Sequence, residues 1–475
     1  MSEIGKHNLL IDEACRRFPD RCATITPDGQ RLSYDMLYRT VLAFTARLRA
    51  EGVEPGQVVA PLAENHAVFH ALTLALLRIG ARVALVFSPD AAIGHGLKID
   101  TAITLADRPA IACGNLVFDQ SWFDVTGDAG IGADGDVIMS SSGTTGLPKY
   151  YLSSQHNLHE MTRVRWGGYQ PGESDTLATL PAPTGYGFWM AYQAMMLGGA
   201  IFRPKATARE TLLSLQPELP LEILTTPAIL SEFLNEIEGG VPVPPLLQSV
   251  LLGGSPVSRN LARKAENVLG CPVYNVFGST ETAGNAIARP AKSGLEQGVI
   301  GKPFPEVEFR IEAEDRTPLP PGSEGILAVR VPPDVRIAEA LVGTYPFDEE
   351  GWFRSGDYGY LDAAEGLVLT GRTTDLINSS GSKVSPAAYE AIVLRLTGAN
   401  EVAAFGIPNA LGSEDVGLAI VADTPVNTET LRKQMLEEVG THLDFHIRQV
   451  DSLPVNPTGK VERSVLREQF ESEGS

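Results

Sequence analysis

Apolar side chains recur at helical spacing in residues 8–18, and again from Ser33 as far as Leu48. Ser33 is a residue type that begins helices, because its hydroxyl accepts from a free backbone N–H. Further along, short apolar runs alternate with longer helical patterns, which is typical of a mostly parallel α/β sheet covered by helices. The pattern predicts further helices at 66–79, 157–166 and 187–197, and strands at 56–62, 81–87, 136–140, 176–180, 222–224, 249–252 and 273–276.

The pattern changes twice in the second half of the chain. Residues 307–331 alternate in the manner of β-strands around a Pro/Gly turn at 318–322, which predicts a small antiparallel element. Beyond Asp375 the alternation of strands and helices restarts, over a length of ~100 residues that is usual for one domain. We therefore expect an α/β protein in which mixed sheets layered with helices form a large N-terminal domain (1–371). A small α+β domain (372–475) follows, with elements at 384–396, 402–406, 418–421, 428–439 and 447–450.

Composition and charge narrow the classes of function. The chain has 475 residues, of which 43% are hydrophobic, and a formal net charge of -20. An acidic field repels phosphates, which argues against a general nucleic-acid or membrane binder. A secretory pattern at the start and a run of 18 apolar residues are both missing from the sequence, so we expect a cytoplasmic protein without a membrane span. The cysteines lack the spacing of metal ligands and are expected to be reduced thiols.

A loop rich in hydroxyls follows the strand predicted at 136–140. Glycines let the backbone approach phosphate oxygens, and the hydroxyls add donors. The loop is not a Walker A motif, because two residues separate its glycines and Pro148 opposes a helix at that point. It is a candidate polyphosphate site through Ser141, Ser142, Gly143, Thr144, Thr145, Gly146 and Lys149.

A second candidate motif spans residues 275–281, again at the end of a predicted strand. Glu281 offers a carboxylate for Mg²⁺, Thr280 a hydroxyl for a phosphate, and Phe277 a ring for adenine. Taken alone, the segment is equally compatible with a helix N-cap at Ser279 or Thr280. Asp357, which follows Gly356, is a third candidate that could bind two ribose hydroxyls, although a β-turn Asp is just as common in this setting.

Joined with the hinge-like block from Gly371 to Pro386 and the lysine loop ending at Lys460, these motifs resemble the adenylate-forming superfamily. That superfamily includes acyl- and aryl-CoA synthetases, peptide-synthetase adenylation domains and firefly-type luciferases. The resemblance covers nearly the whole chain with its motifs in the family's order. Thr374 departs from it, because the hinge position usually carries Asp or Lys.

The resemblance implies a role for each motif. Lys460, Thr280, Glu281 and Arg372 are the candidates for catalysis, with Glu281 also the ligand of Mg²⁺. The hydroxyl-rich loop is expected to bind the β- and γ-phosphates of ATP, and Asp357 with Arg372 the ribose. The remaining nucleotide-site candidates are Gly253, Gly254, Ser255, Asn275, Phe277 and Gly278, and Gly381 is expected beside the tunnel for a pantetheine thiol.

The reaction implied is an AMP-forming acid–thiol ligation. A carboxylic acid attacks ATP to give an acyl-adenylate, which a thiol then captures after the C-terminal domain swings. CoA is the favoured acceptor, the phosphopantetheine arm of a carrier protein is the alternative, and a luciferase-like monooxygenase is a remote third reading.

The acid is expected to bind at residues 181–187. An acidic residue that could pair with an α-ammonium group is missing from 181–190, which disfavours amino acids. Thr184, Gly185, Tyr186 and Trp189 therefore suggest a pocket for an aryl or medium acyl group. The same aromatic residues could equally belong to the core.

Overall fold

The computed structural model describes residues 6–25, 29–62, 66–105, 112–142, 148–164, 174–373, 375–379, 382–409, 414–439, 444–456 and 461–472. The helices mostly begin at residues that suit an N-cap. Ser33, for example, accepts from the N–H of Met36, as its sequence position predicts. The helices are α1 (Lys6–Arg17), α2 (Tyr34–Ala50), α3 (His66–Ile79), α4 (Pro89–Gly94), α5 (Gln155–Val164), α6 (Gly185–Leu197), α7 (Ala208–Ser214), α8 (Pro227–Glu238), α9 (Arg259–Leu269), α10 (Pro386–Thr397), α11 (Thr428–Val439) and α12 (Arg463–Ser472).

The strands range from two to eleven residues in length. They are β1 (Cys22–Ile25), β2 (Arg31–Ser33), β3 (Val58–Ala60), β4 (Arg82–Ala84), β5 (Thr101–Leu105), β6 (Gly114–Phe118), β7 (Asp136–Ser142), β8 (Pro148–Ser154), β9 (Asp175–Ala178), β10 (Ile201–Phe202), β11 (Leu221–Thr225), β12 (Leu247–Leu252), β13 (Val273–Ser279), β14 (Ala283–Ala288), β15 (Val299–Gly301), β16 (Glu308–Glu312), β17 (Gly325–Arg330), β18 (Glu339–Val342), β19 (Trp352–Asp362), β20 (Gly366–Arg372), β21 (Ile377–Ser379), β22 (Ser382–Val384), β23 (Glu401–Pro408), β24 (Glu414–Val421) and β25 (Phe445–Gln449).

The parallel strands belong to two separate sheets. One has the order β14-β13-β12-β11-β9-β10-β1-β2, with β14 and β2 antiparallel at its edges. The other has the order β18-β8-β7-β4-β3-β5-β6, in which β8 pairs antiparallel with both β7 and β18. The predicted alternation of helices and strands is confirmed, but the periodicity did not divide the strands between two sheets.

One hydrophobic core joins the two sheets. It contains Val83 and Val137 from one sheet and Leu224 and Leu251 from the other. Helix α6 crosses this core and is buried on nearly every side, as expected of a helix without a polar face. The carboxyl ends of parallel strands from both sheets therefore lie close to the start of α6.

An antiparallel sheet follows, in the order β15-β20-β19-β17-β16. Its β16–β17 pair confirms the antiparallel element predicted at 307–331. Beyond Arg372 come the β21–β22 hairpin and a sheet of order β23-β24-β25, flanked by α10, α11 and α12. This C-terminal unit has its own core, built around Tyr389, Leu418 and Phe445.

Candidate adenylation site

The Thr280 motif lies in a tight connection between two antiparallel strands. A Cβ on Gly278 would lie 2.0 Å from the carbonyl oxygen of Ala283, so this position requires glycine. Ala283 itself has a left-handed backbone, with φ 62°. The alternative of a helix N-cap at Ser279 or Thr280 is wrong, because β14 follows directly.

Thr280 joins the two parallel sheets. Its hydroxyl donates to the carbonyl oxygen of Ser140 at 3.2 Å, which connects the end of β13 with β7. The polyphosphate-loop candidate begins at this same point of β7. The contact brings two motifs together that lie far apart in the sequence.

Glu281 is a buried carboxylate beside the same junction, with 8% of its surface exposed. Burial, and next the negative charge of Glu281, raise the pKa of Tyr151 to about 12, while the nearby Ser141 side chain opposes this rise. Among the ion pairs of the described residues, none includes Glu281. A buried carboxylate without a cationic partner is costly, and this environment fits the carboxylate ligand of a divalent cation.

The acid-binding candidates stand at the start of α6. The Thr184 hydroxyl donates to the Pro181 carbonyl at 2.7 Å and accepts from the N–H of Gly187 at 3.0 Å. A Cβ on Gly187 would lie 2.3 Å from that same carbonyl oxygen, so the loop closes tightly on itself. Gly185 then lies near both Met139 and Thr280, with its Cβ position 3.9 Å from the Thr280 hydroxyl.

The two aromatic candidates on α6 differ in their surroundings. The ring of Tyr186 lies against Gly253, where an added Cβ would be 2.7 Å from its Cε1 atom. Trp189 is instead buried within the large core. The question whether these residues line a pocket or belong to the core therefore has a different answer for each. Tyr186 faces the glycine segment at the end of β12, whereas Trp189 is packed in the core.

The other nucleotide candidates lie close in the chain to this region. Asn275 is buried, and its side chain donates to the Val299 carbonyl at 3.2 Å. Phe277 meets Phe309 edge-on, with ring centroids 6.4 Å apart. Gly254 has a left-handed φ of 89°, and Ser255 follows it directly.

Asp357 and Arg372 are direct partners in the antiparallel sheet. They face each other across β19 and β20, and the Arg372 Nε atom lies 3.2 Å from an Asp357 carboxylate oxygen. Lys149 lies on β8 opposite Ser141, with its aliphatic stem over Gly343. Gly143, Thr144, Thr145, Gly146, Thr374, Gly381 and Lys460, together with the side chain of Ser142, lie outside the described residues.

Tyr151 and Met139 contribute to this region but were missed by the sequence reasoning. They are register partners on β8 and β7. Lys149 and Tyr151 are two residues apart on β8, so their side chains lie on the same face of the strand. This spacing was the signal in the sequence that could have identified Tyr151.

Comparison with known proteins shows the family of this chain. The family model "AMP-binding enzyme" matches residues 11–97 and 125–335, which is more than half of the chain. The chain belongs to the AMP-binding enzyme family. It is thus an adenylate-forming enzyme, as the resemblance implied.

Similarity to members of this family extends over nearly the full length. The chain is 26% identical to a salicylyl-CoA synthase / salicylate adenylyltransferase of Streptomyces sp, over 96% of this chain and 92% of that protein. It is 25% identical to the fatty acid–[acyl-carrier-protein] ligase ScoC of Streptomyces coeruleorubidus, over 93% and 92%. The fold is also that of the amide bond synthetase McbA of Marinactinospora thermotolerans, with a TM-score of 0.82 at 22% identity, over 98% of this chain and 100% of that one.

Two further predictions concern the cysteines and a membrane span. The cysteines are free thiols, and Cys15, Cys22 and Cys271 are buried. Helices long and apolar enough to cross a membrane do not occur in the described part of this AMP-binding enzyme.

Proposed function

We propose that this AMP-binding enzyme activates an aryl or medium-chain carboxylic acid with ATP and passes the acyl group to a pantetheine thiol, with CoA as the favoured acceptor. The observation that carries the proposal is the contact between Thr280 and Ser140. It brings the start of the polyphosphate loop at Ser141, the acid-binding segment and the carboxylate of Glu281 to one junction. A carboxylate and the α-phosphate of ATP could meet there.

The difficulty of the first step is to bring two anions together. Positioning and cationic stabilisation of developing charge overcome it. Lys460 would supply the cation between the acid and the α-phosphate, and Thr280 would donate to the same phosphate. Glu281 would hold Mg²⁺, which neutralises phosphate charge when bound.

Asp357 and Arg372 would bind the ribose together. The carboxylate can accept from both ribose hydroxyls, and the guanidinium beside it orients the carboxylate. Gly253, Gly254 and Ser255 would lie on one face of adenine and Phe277 on the other, with Asn275 and Gly278 shaping the strand beneath.

The substrate class follows from the start of α6. Tyr186 is held against Gly253, so its ring can form one wall of a flat pocket next to Gly185. A flat wall and the lack of a carboxylate in 181–190 favour an aromatic acid over an amino acid. Thr184 shapes this wall by capping α6, and Trp189 supports it from the core.

The acceptor step would use a different position of the C-terminal unit. In this proposal residues 1–371 bind ATP and the acid, and residues 372–475 move as one body after adenylation. The movement would withdraw Lys460 and present Gly381 to the thiol. CoA and a carrier protein are both supported by relatives, one named a salicylyl-CoA synthase and one an acyl-carrier-protein ligase.

The test is AMP and pyrophosphate release measured over aryl, medium-chain, short-chain and amino acids, with CoA or a holo carrier protein as acceptor. We expect AMP formation that depends on the acid and is fastest with an aromatic acid. Thr280→Val, which removes the hydroxyl at nearly constant shape, should slow it about tenfold. Formation of ADP, turnover without an acid, or activity with α-amino acids alone would contradict the proposal, and an amide product formed in preference to the thioester would redirect the second step.

A further inference from the structure

Glu390 is a buried carboxylate on α10, with 2% of its surface exposed. One of its oxygens, Oε1, accepts from the Ala404 N–H at 2.9 Å and from Nη2 of Arg463 at 2.9 Å. The other oxygen, Oε2, accepts from the side-chain amide of Gln297 at 2.8 Å. Both oxygens are therefore satisfied, as a buried charge requires.

The partners of Glu390 belong to two different parts of the chain. Ala404 and Arg463 belong to the C-terminal unit, so their bonds with Glu390 hold that unit together. Gln297 precedes β15 in the large N-terminal part of the chain. Its bond crosses between the two parts.

Arg463 extends the connection toward residues 457–460. It begins α12, donates through Nε to the Ala404 carbonyl at 3.0 Å, and has Nη1 3.5 Å from Asp375. Burial lowers the pKa of Arg463, but Glu390 and Asp375 outweigh burial and raise it, so the guanidinium stays charged. Asp375 follows the proposed pivot of the C-terminal unit.

The two flanks of residues 457–460 are paired with each other. Val455 pairs with Val461 in an antiparallel bridge, and the Glu462 N–H donates to the Pro454 carbonyl at 2.9 Å. The two flanks are thus held to each other, and Lys460 precedes Arg463 by three positions in the sequence.

The same surface carries other polar contacts between the two parts. The Ser231 hydroxyl donates to Glu401 at 3.0 Å, and the Ser258 hydroxyl donates to the Asn400 carbonyl. Lys264 forms an ion pair with Asp423 at 2.8 Å. Among these contacts, the one at Gln297 leads through a buried charge to the segment that carries Lys460.

We propose that Gln297, Glu390 and Arg463 are positioning residues for adenylation, which hold the Lys460 segment in register only while the C-terminal unit is docked on the N-terminal part. This inference rests on the proposed function. Rotation of the C-terminal unit breaks the Gln297 bond but keeps Glu390, Arg463 and Ala404 together, so the network separates at one place. Docking and the delivery of Lys460 are coupled through that bond.

The decisive variant is Gln297→Met, which keeps the side-chain length and removes the donor. Loss of one hydrogen bond to a buried charge should lower kcat of acid-dependent ATP–pyrophosphate exchange about tenfold. KM for ATP and for the acid should stay unchanged, as should thioester formation from a supplied acyl-adenylate. Lys264→Met is the matched control, because it removes a partly exposed ion pair with Asp423 on the same surface and should change exchange less than about twofold.

A second readout does not depend on activity. Amide hydrogen exchange without substrates should become faster in Gln297→Met at 258–264 and 399–404, where the two parts meet. Arg463→Lys should leave that exchange unchanged while lowering adenylation, because it affects the Lys460 side of the network.

Equal loss of both half-reactions in Gln297→Met, or unchanged adenylation, would overturn the proposal, as would unchanged amide exchange at the interface. If the wild-type protein adenylates no acid, the proposed function fails, and faster exchange in Gln297→Met would still establish the docking contact separately.

Discussion

Asp357 and Arg372 are partners across adjacent antiparallel strands, with 3.2 Å between the guanidinium Nε and a carboxylate oxygen. Arg372 is the last residue of β20, and the Thr373 N–H that follows donates to the Gly356 carbonyl at 3.0 Å. The proposed ribose site and the proposed pivot of the C-terminal unit are therefore one structural element. Binding of a nucleotide at Asp357 would therefore depend on the position of that pivot.

Removal of the Asp357 carboxylate should weaken ATP binding. In Asp357→Ala we expect KM for ATP to rise at least about tenfold, because hydrogen bonds to a charged acceptor are among the stronger ones. KM for the acid should change little. Initial rates at varied ATP check this, with the exposed Asp451→Ala as control, and an unchanged KM for ATP would remove Asp357 from the ribose site.

Lys460→Ala should separate the two half-reactions. Adenylation should slow by about a hundredfold or more, because a cation that meets developing charge is lost. Thioester formation from a supplied adenylate should stay within about threefold, since the lysine is withdrawn in that step. Lys433→Ala on the exposed face of α11 is the control, and equal loss of both steps would refute this division of labour.

Gly253→Ala should alter the choice of acid. The new methyl group would lie 2.7 Å from Cε1 of Tyr186, so the ring must shift, and such overpacking typically costs about 1–3 kcal/mol. We expect KM for an aryl acid to rise while KM for ATP changes less. Specificity constants over an acid series measure this, and Gly94→Ala, where a Cβ meets open space, is the control. Partial recovery in Gly253→Ala/Tyr186→Leu would identify the ring as the cause.

Glu222 should make stability depend on pH. Burial raises the pKa of this β11 carboxyl from 4.5 to about 7, while a hydrogen bond with Ser249 opposes the rise. Between these values the folded chain binds more protons than the unfolded chain, so the free energy of unfolding falls as pH rises through this window, by up to roughly 3 kcal/mol. Stability from this group is fully present below pH 4.5 and lost above about 7.

Glu222→Gln should therefore be more stable than the wild type at pH 8 and differ much less at pH 5. Denaturant unfolding at both values checks this, with the exposed Glu429→Gln as control. A Gln variant that is less stable at pH 8 would show that the ionised carboxylate is well accommodated.

Much of the fold could be predicted from the local sequence. Helix α3 begins and ends where its apolar pattern predicts, and Pro148 correctly opposed a helix, since β8 begins there. The β13–β14 hairpin could not be foreseen in the same way, because Ser279 and Thr280 suit a helix start as well as a tight turn. A left-handed Ala283 decides between them only once the chain is folded.

Long-range pairing was beyond the reach of periodicity. An apolar alternation shows which faces are buried, but it does not state which sheet a strand joins. For this reason the two sheets, and with them the distance between Thr280 and Ser140, emerge only from the structure. The motif order identified the superfamily, whereas the contacts that link Gln297 to Arg463 left no local signal.

The bond from Thr280 to Ser140 crosses from one sheet to the other, over the core that α6 fills. The distances between the groups of the proposed reaction centre thus depend on how the two sheets pack, rather than on one rigid loop. Substitutions at buried positions such as Phe188 can then retune the activity of this enzyme without touching its substrates. Relatives that share about a quarter of its residues are named for different acids, salicylate in one case and a fatty acid in the other.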